Sequence, residues 1–163
     1  MEKSHIDWLL RAVNNAQKSP DPSTQNGSVL VTNCPGGIAW YDGYNRPTIP
    51  CDVSKLTRDE KMNIMEHAER VALYSSAKWG ESGSEDSTLY CIWFACPDCA
   101  RAIVECGVRE VIGLKSMYDS TPERWKMPVE IGLDILRRGG VEHSFIDHHF
   151  GEEILFSGEK KLI

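Results

Sequence analysis

The sequence predicts an α/β fold of three layers, with helices on both faces of a central mixed sheet of about five strands. Three observations predict it. From residue 88 to 147, strand-like and helix-like segments alternate, the pattern of parallel strands joined by crossover helices. Residues 27–45 hold two strand-like runs around a tight turn, which adds an antiparallel pair. The chain opens on apolar residues at helical spacing, suited to covering a sheet face.

Each element has its own signal. Ser4 can cap a first helix, with Asp7 three residues on in a capping-box position. Ile6, Leu9, Leu10, Val13 and Ala16 form its stripe, and Pro20 and Pro22 close the segment. "GSVLVTN" (27–33) and "GIAWYDGYN" (37–45) are strands around "CPGG". A polar, proline-bearing stretch runs from Arg46 to about Lys61. A helix follows over about His67 to Trp79, then the surface loop "GESGSEDS". "TLYCIWF" (88–94) is a buried strand, and "PDCARAIVECG" is a short helix that Gly107 can end. "VREVIGL" is a strand, Glu123 to Arg138 an amphipathic helix closed by Gly139 and Gly140, and "VEHSFID" the fifth strand. A single domain over 1–163 is expected, with its core in 1–147 and a polar tail in 148–163.

The bulk numbers narrow the function classes. With 163 residues, 41% of them hydrophobic and 26% charged, the chain can build one real core. Its net charge of −6 lacks the basic footprint of a duplex nucleic-acid binder. No apolar run reaches the roughly 18 residues that span a membrane. "MEKSHIDWLL" is too charged for a secretory signal. The six cysteines (34, 51, 91, 96, 99 and 106) therefore read as thiols or metal ligands, and the expected compartment is the cytoplasm.

"HAER" and "CPDC" carry the chemistry. His67 and Glu69 stand two apart, so on a helix they would point about 200° away from each other. One site can use both only at the start of a helix, which predicts a break in the chain just before His67. Cys96 likewise ends a strand, with Pro97 suited to the first helical position and Cys99 in the first turn. One imidazole and two thiolates favour Zn2+ over magnesium or calcium. Three protein ligands leave a fourth position for water, as in catalytic zinc sites. Glu69, near the metal but not bound to it, can serve as a proton shuttle.

These residues and their surroundings resemble the zinc-dependent cytidine and deoxycytidylate deaminase superfamily, with its H-x-E and P-C-x-x-C signature, and within it the deoxycytidylate (dCMP) deaminase branch. "DPSTQNGSVLV" is similar to D-P-S-T-x-V-G-A-V-I-V, "GYNRP" to G-Y-N-G-x-P and "HAERVAL" to H-A-E-x-N-A-I. "STLYCIWFACPDCARAIVECGVREVI" follows T-L-Y-V-T-L-x-P-C-x-x-C-A-x-x-I-x-x-x-G-I-x-x-V, and "GVEHSFI" suits the last strand. The resemblance implies a cytidine-deaminase-like fold and hydrolytic deamination of a cytosine nucleotide, dCMP to dUMP with release of ammonia. It implies zinc on His67, Cys96 and Cys99, with Glu69 moving protons. It further implies Asn45 at the sugar, the backbone of Ala68, Phe94 and Ala95 at the pyrimidine edge, and Lys78 or, next, Arg46 at a 5′-phosphate. A homo-oligomer is implied, the hexamer being one such state.

This sequence departs from the family pattern around the expected pocket. Ala95 stands in place of proline, Val71 of asparagine, Asn26 and Ser28 of valine and alanine, and Arg46 of glycine. These changes keep open a modified cytosine nucleotide, a free nucleoside or another base as substrate. A non-catalytic zinc-stabilised binding module, a structural zinc completed by Cys91 or Cys106, and a redox C-x-x-C are the other readings. Cys34 and Cys51 read as free thiols, and His148 and His149 as solvated.

Overall fold

The computed structural model describes residues 4–80 and 86–163; most of the "GESGSEDS" loop lies outside the described residues. The main sheet has the order β2-β1-β5-β6-β7, built from Gly27–Cys34 (β1), Gly37–Tyr44 (β2), Ser87–Cys91 (β5), Glu110–Leu114 (β6) and Glu142–Ile146 (β7). β1 runs antiparallel to both β2 and β5, while β5, β6 and β7 are parallel. This is the mixed five-stranded sheet the segment order predicts. Two short pieces, Arg46–Pro47 (β3) and Met65–Glu66 (β4), pair beside it.

Alternation along the strands divides the core in two. Leu30, Leu89 and Val111 face one side, where they meet the helices Ala68–Lys78 (α3), Pro97–Glu105 (α4) and Glu123–Arg138 (α6) through Ala72, Leu73, Ala100, Ile103, Val129 and Leu136. Val29, Tyr90 and Ile112 face the other, against Leu9, Ala12, Val13 and Ala16 of the first helix, His5–Ala16 (α1). The predicted Ser4–Asp7 capping box is present. The buried face of α1 is rotated from the expected stripe: Trp8 and Ala12 are inside, while Ile6 is 40% exposed.

Four sequence readings need correction. The polar, proline-bearing stretch after Arg46, for which the sequence signals no element, has structure of its own. It contains a 3-10 turn at Val53–Lys55 and a helix, Arg58–Ile64 (α2), started by a Thr57–Glu60 capping box. No residue of α2 is buried, so it has no apolar stripe to reveal it. The β5 strand stops at Cys91, and residues 92–94 leave the sheet toward Cys96. A short helix, Lys115–Asp119 (α5), follows β6. The segment read as a polar tail is a hairpin, Glu153–Phe156 (β8) and Glu159–Leu162 (β9). Ser157 and Gly158 turn it with φ of 55° and 87°, the left-handed pair that two-residue hairpin turns use. Ile154, Phe156 and Ile163 are buried against the α1 face. No described helix is long and apolar enough to cross a membrane.

Two close approaches place the site. A Cβ on Gly43 of β2 would lie 2.1 Å from the Ala68 carbonyl, so glycine lets the start of α3 rest directly on the sheet. A Cβ on Gly132 of α6 would lie 2.2 Å from the Ala95 carbonyl, so α6 packs onto the backbone just before Cys96.

Candidate metal centre and cleft

The break expected before His67 is present. β4 ends at Glu66, His67 is the extended N-cap of α3 at φ −79°, ψ 150°, and the helix begins at Ala68. Cys96 is likewise the extended N-cap of α4, at φ −68°, ψ 170°, with Pro97 beginning the helix. Neither N-cap side chain caps its own helix. Both point to a shared centre. His67 Nδ1 lies 3.5 Å from the sulfurs of both Cys96 and Cys99, and the three ligand atoms lie within 4.8 Å of one another. With zinc bonds of about 2.0–2.3 Å, a tetrahedron has edges of about 3.5–3.8 Å, so these three groups fit a zinc ion.

The protons of the three groups are already shared unequally. Cys96 accepts from the Cys99 thiol and from His67, which brings its pKa down to about 4 against the opposing effect of burial. The bond to Cys96, with burial, pushes the Cys99 thiol up. His67 is raised through its bond to Cys96. Arg70 supports the centre from outside. Its guanidinium pairs with Glu66, whose Oε1 also accepts the His67 backbone N–H at 3.0 Å, and Nη1 reaches Cys99 Sγ at 3.5 Å. Arg70 is thereby engaged.

Glu69, in the first turn of α3, is only 1% exposed, and burial raises its pKa. Burial thus favours the protonated form of this carboxyl group relative to an exposed one. The start of α3 is also held by Ser28, whose hydroxyl donates to the Ala68 carbonyl at 2.7 Å.

His67, Glu69 and Cys96 open on a cleft of about 790 Å³. Asn26, Asn45, Trp93 and Phe94 line its inner part. Asn45 is buried and both its donors are engaged: Oδ1 accepts from Asn26 N–H at 2.7 Å, and Nδ2 donates to Asp21 and to the Thr24 carbonyl. These bonds tie together the loop segments around Asp21, Thr24 and Asn26 at the cleft wall. Ala68 and Ala95 are fully buried, and Phe94 is 3% exposed.

The two residues expected at a phosphate do not reach this cleft. Lys78 is exposed at the far end of α3, eleven residues and about 16 Å of helix beyond His67. Arg46 sits on β3 and lines a separate surface hollow with Lys18 and Pro47. The cleft instead contains Arg58 of α2 and Arg124 of α6, and its outer wall adds Trp125. Sequence patterning could not find these residues, because helices far apart in the chain bring them in.

A family model for the cytidine and deoxycytidylate deaminase zinc-binding region matches residues 2–115. The chain belongs to this deaminase family. Human deoxycytidylate deaminase is 31% identical over 131 residues, covering 73% of this chain and 71% of the relative. A probable deoxycytidylate deaminase of Drosophila melanogaster is 28% identical over 136 residues, 74% of this chain. The match spans 65% of the fly protein, just under two thirds of its length. The dCMP deaminase of cyanophage S-TIM5, solved in complex with dCMP and dUMP, superposes with a TM-score of 0.64 at 26% identity. That superposition covers 90% of this chain and all of the phage chain. The deaminase family thus accounts for the His-Cys-Cys centre as a zinc site.

Proposed function

We propose that this deaminase-family chain hydrolyses dCMP to dUMP with release of ammonia, using zinc held by His67, Cys96 and Cys99. The observation that carries this reading is the buried Glu69 carboxyl group beside a three-ligand centre, at the floor of a cleft. A structural zinc site or a redox pair has no use for such a carboxyl group. Bound zinc would supply the Lewis acidity that makes water nucleophilic near neutral pH. Glu69 takes one proton from the water and delivers it to ring N3; it then takes the second proton from the oxygen now bound to C4 and passes it to the departing amine. Burial keeps bulk water from competing with these transfers. The deaminases similar in sequence and fold support cytosine as the base. Ammonia release measured across cytosine, cytidine, deoxycytidine, CMP, dCMP, dCTP and 5-substituted dCMP tests the assignment. Highest kcat/KM on any member other than dCMP would replace it.

The 5′-monophosphate belongs with Arg58 and Arg124. Among the four basic residues of the cleft, Lys61 is paired with Asp21 at 2.6 Å and Arg70 with Glu66, whereas Arg58 and Arg124 make no ion pair among the described residues. A charge-assisted bond to phosphate contributes roughly 1.5–3 kcal/mol. Arg58→Ala and Arg124→Ala should each raise KM for dCMP about ten- to a hundredfold and leave deoxycytidine turnover nearly unchanged. Unaltered KM for dCMP in both variants would remove this anchor.

The protein is further proposed to act as a homo-oligomer. Met62, Met127 and Ile131 at the cleft rim are 63%, 73% and 46% exposed, an apolar edge suited to a second subunit. Light scattering should give more than one chain per particle, and a monomer at high concentration would end this claim. The thiols of Cys51, Cys91 and Cys106 suit the reducing cytoplasm.

A further inference from the structure

Asn26 sits between the cleft loop and β1, 9% exposed, and its surroundings fix which end of its amide points where. Oδ1 accepts the backbone N–H of Gly27 at 3.0 Å and of Trp93 at 3.3 Å. Two N–H donors on one side can be satisfied only by the oxygen, so the nitrogen must occupy the other. That nitrogen, Nδ2, lies 3.5 Å from Oε2 of Glu69. The backbone is held as firmly: Asn26 N–H donates to Asn45 Oδ1 and its carbonyl accepts from Asn45 N–H. Among the described residues, no other side chain donates to the Glu69 carboxyl group.

We infer that Asn26 is the positioning residue of the proton shuttle, its amide N–H holding Oε2 of Glu69 so that Oε1 is presented to water and to the base. The inference rests on the deaminase reading of the site. Catalytic hydrogen bonds are often long before substrate binds, and at 3.5 Å this contact has room to tighten. A buried carboxyl group without such a donor can rotate about its last torsion, which is broad and nearly two-fold. Fixing it removes orientations that cannot transfer a proton.

Asn26→Leu tests the donor itself, because it removes the amide N–H at similar size without placing a second carboxyl group about 3.5 Å from Glu69. The variant should keep its zinc and fold, lose some thermal stability because the Gly27 and Trp93 N–H groups lose their acceptor, lose about tenfold or more in kcat, and hold KM within about twofold. Placed on a Glu69→Gln background, the same change should cost nothing further, since it acts through Glu69. Asn26→Val, judged by the same comparisons, serves if the leucine variant does not fold. A readout independent of turnover is the Asn26 side-chain amide resonance, which should move when Glu69 becomes glutamine. Parental kcat in Asn26→Leu, an equal loss in both backgrounds, or an unmoved resonance would each overturn the inference. A parental protein that deaminates no cytosine nucleotide but shows the resonance shift supports the contact and overturns the deaminase reading instead.

Discussion

Glu69→Gln is expected to retain zinc and fold while turnover falls by at least about 10²–10⁴-fold, the usual worth of a general acid–base group. The expected loss lies at or above the upper end, because one carboxyl group takes up both protons of the attacking water in turn and delivers one to N3 and one to the amine. The substitution is nearly isosteric in a site only 1% exposed, so packing is preserved. It also removes a group whose burial disfavours its charge, so stability should not fall for electrostatic reasons. Asn26 Nδ2 can still find an acceptor in the glutamine carbonyl. Loss of proton transfer is thus separated from loss of structure. The measurement is kcat for dCMP alongside zinc content and thermal unfolding. Turnover within about tenfold of the parent would mean that another group moves the protons, and the mechanism would fall.

The sequence made this centre legible for a local reason. His67 and Glu69 cannot share a side face of a helix, so their use at one site required a helix start, and the N-cap geometry of His67 meets that requirement. The same logic held at Cys96, where Pro97 marks the first helical position. The parallel arrangement of β5, β6 and β7 was legible because each is separated from the next by a helix. What stayed hidden depends on contacts across the chain. Arg58 sits on a helix without a buried face, so no periodicity announces it. Arg124 enters the cleft because α6 packs through Gly132 onto Ala95, a contact no spacing encodes. Lys78 had the right charge and element but lies at the wrong end of α3. The closing hairpin was masked by Glu152, Glu153, Glu159, Lys160 and Lys161, although Ile154 and Phe156 alternate inward around a Ser-Gly turn. That hairpin bears on the site: Leu155 exchanges hydrogen bonds with Gln25, and Gly158 N–H donates to Ser23, bracing the loop that carries Asn26.

Cys96→Ser and Cys99→Ser should each weaken zinc binding by more than about 100-fold, since loss of an outer partner alone costs 10–100-fold. Serine keeps the size of the side chain but replaces a soft, readily ionised ligand with a hydroxyl that stays protonated near neutral pH. Cys99 is fully buried beside Arg70, so its serine variant should also lose some thermal stability. Cys106→Ser is the control. Cys106 lies seven residues beyond Cys99, two turns and about 10 Å along the helix direction. Among the described residues, only His67, Cys96 and Cys99 form a group able to hold a metal. Cys106→Ser should therefore bind zinc like the parent, with about one ion per chain. Metal analysis after dialysis against a moderate chelator reads all three variants together. Full zinc in both Cys96→Ser and Cys99→Ser would refute the ligand set, and loss of zinc in Cys106→Ser would point to a four-ligand structural site with no open position for chemistry.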